Sequence, residues 1–319
     1  MAQMDNVKNL EKLKDTFGNV AKEVSKTIVG QHEVIEQILV AILTGSNALL
    51  ESPPGLGKTT LIKSISDVLD LDFSRIQNTP DLMPSDITGT YVIEENEGKK
   101  TFVFQKGPLF ANIVLADEIN RATPKTQAAL LEAMQEKQVT VGNQTFELEE
   151  PFFVLATQNP IDQEGTYPLP EAQTDRFLLK IIVPYPTEDE EMEIVNRYTT
   201  AADITAVNKL LGVNSIKLLQ KLTRQVPIAD DIKKRAVRLV QKTRQSPELI
   251  EFGASPRASI GIILAAKAHA LIQGRKFVSS KDIDAMALPV LRHRILISFA
   301  AEREGKNADD IIKELLKSV

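Results

Sequence analysis

The hydrophobic pattern of this 319-residue chain changes near residue 184, from short apolar runs to long helical repeats. Before that point, continuous apolar runs alternate with segments of helical period, which predicts a parallel sheet with helices on both faces. The five predicted strands are residues 47–51, 73–77, 113–116, 153–157 and 177–183. Helical patterns precede the first strand, and another follows it over residues 58–69.

Two further β-like pairs interrupt this alternation. Residues 90–93 and 101–104 flank a polar turn, and residues 139–141 and 145–148 flank Gly142-Asn143, which suits a type II′ hairpin. Beyond Pro184 and Pro186 the period is helical to the end of the chain. The pattern therefore predicts the α/β class, with a five-stranded parallel αβα core and β-hairpin inserts over residues 1–184. An all-helical domain is predicted over residues 185–319.

Composition narrows the possible classes of site. The chain has no cysteine, which excludes disulfides and thiolate metal sites, and its three histidines show no metal-ligand spacing. A net charge of −5 argues against a dedicated nucleic-acid-binding protein, which usually presents a basic face. No stretch approaches the about 20 apolar residues of a membrane helix, and the first residues are polar. We therefore expect a cytoplasmic protein without membrane insertion.

The segment 52–59, Ser-Pro-Pro-Gly-Leu-Gly-Lys-Thr, lies between a predicted strand and a predicted helix, as a Walker A phosphate loop requires. Backbone N–H groups of such a loop surround phosphates, and the helix N-terminus adds a positive dipole. Lys58 would reach the β- and γ-phosphates of ATP, and Thr59 would ligate Mg²⁺. Ser52 departs from the pattern, which has glycine there. The predicted nucleotide-binding residues here are Pro53, Pro54, Gly55, Leu56, Gly57, Lys58, Thr59 and Thr60.

Two adjacent carboxylates, Asp117 and Glu118, follow the predicted strand 113–116. In an open parallel sheet, ligands bind beyond the carboxyl ends of the strands, so both side chains are placed for chemistry. Asp117 would hold Mg²⁺, through water, and Glu118 would orient and deprotonate the attacking water.

Three other polar residues are ambiguous by themselves. Asn159 follows the strand 153–157 and could fix the attacking water, but Asn-Pro is also a common turn signal. Arg257 lies in the first turn of a predicted helix, where the dipole disfavours a cation, so it either faces an anion or is solvated. Arg176 stands next to Asp175 and alone predicts a surface ion pair.

The order of six segments makes the chain similar to the AAA+ superfamily, and specifically to the MoxR family. The segments are residues 28–31 (IVGQ), 52–59 (SPPGLGKT), 112–122 (NIVLADEINRA), 156–160 (ATQNP), 170–177 (PEAQTDRF) and 253–258 (GASPRA). Their order is far more specific than any one of them, and the resemblance covers nearly the whole chain.

The resemblance implies an αβα core and a helical lid, with ATP at their junction and Val29 and Gly30 near the adenine. It assigns Asn159 as the sensor-1 residue, Arg257 as the sensor-2 arginine and Arg176 as the arginine finger. It further implies homo-oligomeric rings, usually hexameric. Relatives act as chaperone-like factors that mature or activate client proteins, often ones with von Willebrand factor A domains and metal centres.

Four functions fit this pattern: a protein-remodelling ATPase, a DNA translocase, a magnesium-chelatase-type subunit, and a nucleotide switch without useful turnover. The base Glu118 argues against the switch. The second hairpin, residues 139–148, has no lysine or arginine and runs into Glu147, Glu149 and Glu150. The first balances Glu94, Glu95 and Glu97 against Lys99 and Lys100. Since DNA phosphates would be repelled by the second hairpin, nucleic acid is an improbable partner.

Overall fold

A computed structural model describes residues 2–96, 99–159, 166–200 and 206–319, so Glu97 and Pro160 lie outside the described residues. The strands are β1 (Ala48–Glu51), β2 (Phe73–Gln77), β3 (Gly89–Asn96), β4 (Lys99–Lys106), β5 (Ile113–Asp117), β6 (Gln138–Val141), β7 (Gln144–Glu147), β8 (Phe153–Gln158), β9 (Leu179–Ile182), β10 (Ile250–Phe252) and β11 (Leu296–Ile297). The helices are α1 (Ala2–Val24), α2 (His32–Thr44), α3 (Lys58–Val68), α4 (Pro84–Thr88), α5 (Pro124–Glu136), α6 (Glu171–Thr174), α7 (Glu188–Thr199), α8 (Val213–Gln225), α9 (Asp230–Thr243), α10 (Pro256–Ile272), α11 (Ser280–Leu291), α12 (Phe299–Arg303) and α13 (Ala308–Lys317).

The predicted five-stranded parallel sheet is confirmed, in the order β2-β5-β8-β1-β9. Its middle strands are buried on both faces: Leu49 packs into one hydrophobic cluster with α5, and its neighbour Leu50 packs into the other with α2 and α3. Because both faces are covered, these strands are continuous apolar runs in the sequence and not alternating ones. The last strand begins at Leu179, since Phe177 closes a turn by donating its N–H to the carbonyl of Thr174.

Both predicted hairpins are present, and they pack against each other. β3 pairs with β4 and β6 with β7, each antiparallel. The rings of Phe104 and Phe146, one from each hairpin, stack with centroids 4.2 Å apart. The Tyr91 hydroxyl donates a hydrogen bond of 2.6 Å to Oε1 of Gln144. These contacts join the two inserts into one two-hairpin unit.

The second domain is helical as predicted, but it also contains a short ribbon that the sequence analysis missed. β10 pairs antiparallel with β11, with Ile250 opposite Ile297 and Phe252 opposite Leu296. Strands of three and two residues are too short to show a period of two, and their partners are more than 40 positions apart in the chain. The helical lid is as predicted, and the β10-β11 ribbon is a small addition to it that the sequence did not indicate.

Arg294, just beyond α11, fastens the helical lid to the sheet. Its side chain is 4% exposed and forms an ion pair of 2.7 Å with Asp175. The same guanidinium donates to the backbone carbonyls of Phe177 at 2.6 Å and Leu178 at 2.9 Å, immediately before β9. A buried guanidinium with several acceptors is well satisfied, so this contact fixes the lid relative to the first residues of β9.

A second tie between lid and core is a buried polar cluster around His269 of α10. Nε2 of His269 lies 3.1 Å from Glu36 of α2, and Nδ1 lies 2.6 Å from the fully buried Asp282 of α11. Arg275 also binds Asp282. Burial opposes the charge on His269, but the hydrogen bonds to Asp282 and Glu36 outweigh it and raise the pKa of His269 to about 9. Within the described part of the chain, no helix is both long and apolar enough to cross a membrane.

The His269 cluster predicts a loss of stability at alkaline pH. A pKa raised from 6.5 to about 9 in the folded state means that the stabilisation is complete below pH 6.5 and is lost as pH rises through 9. The free energy of unfolding, measured by urea denaturation at pH 7, 8, 9 and 10, should therefore fall across this range. In His269→Asn, which does not titrate, this component should disappear; an identical pH slope in both proteins would contradict the assignment.

Candidate functional site

The predicted phosphate loop and the polar residues Asp117, Glu118 and Asn159 lie at the carboxyl edge of the sheet. The loop follows β1, the acidic pair ends β5, and Asn159 follows β8, which lies between those two strands. Since neighbouring strands are about 4.8 Å apart, the loop and the acidic pair are separated by roughly 10 Å. Ser52 donates its N–H to the Gln158 carbonyl at 3.3 Å, which ties the loop directly to β8.

Two glycines of the phosphate loop adopt backbone conformations that other residues rarely adopt. Gly55 and Gly57 both adopt left-handed conformations, with φ of 84° and 70°, and Gly57 is the residue from which α3 begins. Nζ of Lys58 lies over the loop and donates to the carbonyls of Ser52 at 3.2 Å and Pro53 at 3.3 Å. The lysine thus sits at the mouth of the loop, with an ammonium group in position to bind an anion.

Ser52 does not distort the loop, although the phosphate-loop pattern has glycine at its position. Its φ is outside the left-handed region, so no glycine is required. The residue is fully buried, and its hydroxyl donates to the Pro53 carbonyl at 2.8 Å. A buried serine with a satisfied hydroxyl is compatible with a formed loop.

Thr157 of β8 organises the acidic pair, and sequence reasoning did not single it out. Its hydroxyl donates to Oδ1 of Asp117 at 2.6 Å and accepts the backbone N–H of Glu118 at 2.9 Å. Thr157 is fully buried, and Glu118 is a non-glycine residue with φ of 53°. A single hydroxyl therefore orients both carboxylate residues. The sequence held one signal for Thr157: it is a polar residue at the end of an apolar run, two positions before the predicted site residue Asn159.

Two arginines bind the outer oxygens of the acidic pair. Nη2 of Arg75, on β2, lies 2.6 Å from Oδ2 of Asp117, and Nη1 of Arg121 lies 2.9 Å from Oε2 of Glu118. Both arginine side chains are nearly half exposed, so these ion pairs hold the carboxylates weakly compared with buried pairs. Asn159 is buried at the end of β8, beside the segment that carries Thr157.

The donor set fits Mg²⁺ better than a tightly chelated metal. A threonine hydroxyl and a carboxylate, from Thr59 and Asp117, are hard oxygen donors of the type Mg²⁺ prefers. Among the described residues, no group of three or more histidine, aspartate and glutamate side chains could hold a metal ion. Mg²⁺ typically uses one or two protein ligands and completes its shell with phosphates and water, which matches these residues.

A cavity of about 500 Å³ opens between the phosphate loop, the segment before α2, and α7. It is lined by Thr27, Ile28, Val29, Gln31, Gly55, Leu56, Gly57, Thr60, Tyr185, Pro186, Glu191, Ile194 and Tyr198. Gly30 lies against α7, because a Cβ at that position would meet Oε1 of Glu190 at 2.1 Å. The volume suits a ligand of nucleotide size. A wider groove of about 750 Å³ between α1, α8 and the end of α10 contains none of the predicted site residues.

The α7 wall of this cavity was missed by the sequence analysis. Ile194 and Tyr198 of α7, together with Tyr185 just before the helix, give the cavity an apolar side opposite the phosphate loop. The signal was weak, since Ile194 and Tyr198 are four residues apart in a helix that opens with a run of acidic residues. The phosphate loop lies about 130 residues before this helix in the chain, so the two come together through the tertiary fold.

The structure does not bring Arg176 and Arg257 to the phosphate loop. Both line a separate cavity of about 320 Å³ with Gly45, Ser46 and Asn47, which precede β1. This cavity is at the amino edge of the sheet, opposite the edge that carries Lys58. Arg257 contacts Oδ2 of Asp175 at 3.4 Å, and Asp175 also forms an ion pair with Arg294. In the described part of the chain, Asp175 therefore pairs with these two arginines, and the surface ion pair predicted between Asp175 and its neighbour Arg176 is not found.

Comparison with known proteins decides the family. Residues 47–179 match the ATPase family associated with various cellular activities (AAA), and residues 241–315 match the AAA lid domain. The chain is 42% identical to chaperone MoxR1 of Mycobacterium tuberculosis over 93% of its own length and 80% of that protein. The chain belongs to the MoxR family of AAA+ ATPases.

Two further comparisons cover nearly the full length of the chain. The YeaC protein of Bacillus subtilis is 42% identical over 97% of this chain and 96% of its own. A crystal structure described as a "putative ATPase" of Cytophaga hutchinsonii is 40% identical, with a TM-score of 0.91 over 100% of this chain and 98% of that chain. The MoxR-family fold and ATPase activity expected from the sequence are thus confirmed.

The role of Thr157 gives a test of the site geometry. Thr157→Val keeps the shape but leaves the Glu118 N–H without its acceptor and frees Asp117, at a cost of about 1–3 kcal/mol. ATP turnover should fall about tenfold to hundredfold, while affinity for a fluorescent ATP analogue stays close to wild type. Thr157→Ser keeps the hydroxyl and should turn over nearly normally. Wild-type turnover by the valine variant would show that Thr157 does not position the pair.

Proposed function

We propose that this MoxR-family ATPase works as a ring, in which each ATP is bound by one chain and completed by arginines of the next. The observation that supports this most strongly is the position of Arg176 and Arg257 at the amino edge of the sheet, opposite Lys58. Asn47 and Ser52 stand at the two ends of β1, five extended residues apart, or roughly 16 Å. In one chain, these arginines therefore face away from its own phosphate loop.

Within one chain, residues at the carboxyl edge of the sheet bind the nucleotide and provide the general base. Lys58 and the loop N–H groups hold the β- and γ-phosphates, with adenine in the cavity beside Val29 and Gly30. Thr59 and Asp117 hold Mg²⁺, which when bound neutralises charge on the phosphates. Glu118 accepts a proton from the attacking water, and Asn159 orients that water. Arg121 must loosen its hold on Glu118 for the carboxylate to act as a base.

Between chains, a cation is still needed for the charge that develops on the transferring phosphoryl group. An arginine supplied from another chain contributes about 10³–10⁵ in rate in comparable phosphate chemistry. A contact that joins the carboxyl edge of one copy to the amino edge of the next is heterologous, and such contacts form a ring when the rotation between copies closes. We propose a hexamer, with Arg176 as the finger and Arg257 acting from the same neighbour.

Mixing two inactive variants tests this arrangement. Arg176→Ala should bind ATP but lose about 10³-fold or more of its turnover, and Lys58→Ala should not bind ATP. Mixed together, they should recover part of the activity, because the Lys58→Ala chain can lend Arg176 to an intact site. Phosphate release, followed over a range of mixing ratios, measures the recovery.

The control for this mixture is Arg238→Ala, which removes an exposed arginine on α9 and should leave turnover unchanged. Specific activity of the wild type should also rise with protein concentration as rings form. Full activity in a dilute sample that sedimentation shows to be monomeric would rule out a finger in trans.

The two-hairpin unit supports protein clients over DNA. Ile93 and Phe102 face each other across β3 and β4 and are 60% and 74% exposed. They continue the same face of the hairpin on which Tyr91 and Phe104 contact the second hairpin. An exposed apolar pair suits a protein surface better than a phosphate backbone, and Lys100 on the same face stands opposite Glu95 in the hairpin. We propose cytoplasmic clients, including proteins with von Willebrand factor A domains.

A hydrolysis-deficient background tests the client class. Glu118→Gln should retain ATP and hold clients, so crosslinking in cells that express it should recover bound proteins. Adding Phe102→Ser should reduce that recovery severalfold, whereas Phe277→Ser, a similarly exposed phenylalanine in the lid, should not. Strong, salt-sensitive stimulation of wild-type turnover by DNA would favour the translocase alternative.

A further inference from the structure

A groove between α1, α8 and the end of α10 has an apolar floor and takes no part in the nucleotide site. Its volume is about 750 Å³, and none of the described residues that line it also lines the nucleotide cavity or the cavity at the amino edge of the sheet. The floor is formed by the aliphatic side chains Leu13, Leu222, Val226 and Leu271. These side chains belong to the larger hydrophobic cluster or pack on it, so the groove is part of the packed fold. The ATPase activity gives it no role.

The apolar floor continues onto the exposed side of α8. Leu218 is 58% exposed and stands one turn before Leu222, on the same side of the helix. Burial of such a side chain by a partner removes apolar surface from water, which is the main favourable contribution to most protein association. The groove and Leu218 together therefore form one apolar surface that a partner can cover.

The surface around this groove is basic, although the chain as a whole has a net charge of −5. Helix α8 contains three lysine or arginine residues and no aspartate or glutamate. Residues 273–281, which follow α10, also contain three cations and no carboxylate. The described residues that line the groove include Lys12 and Lys276 and none that is acidic. A partner that binds here should therefore carry negative charge.

Lys12 and Lys276 are free to bind carboxylates of a partner. Both are exposed, and neither forms an ion pair with another residue in the part of the chain that the structure describes. Arg275, which also lines the groove, is held by the buried Asp282. Because the two lysines have no intramolecular ion pair to break, a partner's carboxylates gain their attraction without that cost.

We propose that this groove docks an acidic amphipathic helix of a partner protein. The apolar side of that helix covers the floor and Leu218, and its carboxylates face Lys12 and Lys276. Three helices already border the groove, and an added helix with one apolar side packs on them as in other helix-in-groove complexes. Nucleic acid fits less well, because none of the described lining residues is an aromatic on which a base could stack.

A synthetic peptide tests the chemistry of this partner. The probe is a fluorescein-labelled peptide of about 15 residues, long enough to form a helix, with leucine at every third or fourth position and glutamate at most others. Fluorescence anisotropy should show that it binds the full-length chain, and its affinity should fall as salt is raised, since the charges are exposed. Two matched peptides, one with lysine for glutamate and one with alanine for leucine, should bind about tenfold more weakly or less.

Substitutions on the protein test the location. Lys276→Glu and Leu218→Ser should each weaken binding of the acidic leucine peptide by about tenfold or more. The matched controls are Lys313→Glu on α13 and Val237→Ser on α9, both exposed and outside the groove, and they should bind the peptide like the wild type. All four variants should keep wild-type ATP turnover, which shows that they are folded and that the groove is separate from the nucleotide site.

The outcomes separate this inference from the ring proposed above. No binding of the acidic leucine peptide, or equal binding by the groove variants and their controls, would overturn the docking site. Displacement of the peptide by a single-stranded oligonucleotide would assign the groove to nucleic acid. ATP-dependent assembly that is lost both in Lys276→Glu and on addition of the peptide would make the occupant a second copy of this chain, and would overturn the separate partner. The Arg176→Ala mixing experiment is unaffected by any failure to bind the peptide.

Discussion

Strand β8 is the element on which the candidate site depends. It lies between β1 and β5, so its carboxyl end touches both the phosphate loop and the acidic pair. The Thr157 hydroxyl binds Asp117 and the Glu118 N–H, and the Gln158 carbonyl binds Ser52. In a parallel sheet all strands end at the same edge, so a one-residue slip of β8 would separate these groups and turn each side chain to the other face.

The same sheet geometry separates the arginines from the phosphate loop. In a parallel sheet, all strands begin at one edge and end at the opposite edge. Arg176 precedes β9 and Asn47 precedes β1, so both residues lie at the edge where the strands begin. Arg294 then fastens the lid to this amino edge, which brings Arg257 of α10 to the same place. A single chain therefore places Lys58 at one edge and these arginines at the other, and this separation is the observation behind the proposed head-to-tail contact between copies.

Much of the fold was predictable because its signals are local. The buried strands β1, β5 and β8 are largely continuous apolar runs, and β5 begins at Ile113, where its predicted run begins. The hairpins follow from short β-like pairs around polar turns, and Gly142 has the positive φ that its turn needs. The sequence did not predict the ribbon of β10 and β11, because its strands have only three and two residues and pair across a long separation in sequence.

The sequence alone was sufficient for the α/β class, the MoxR-family resemblance and the ATPase activity, because a phosphate loop and an acidic pair are short segments whose chemistry depends on their own order. The division of the chain at residue 184 and the roles of the individual site residues stay predictions. The tertiary structure decided which groups meet: that Thr157 orients both carboxylates, that α7 closes the cavity, and that Arg257 lies beside Arg176 and away from Lys58. These contacts join residues tens to more than a hundred positions apart, and their geometry comes from strand order and lid packing, which no local pattern encodes.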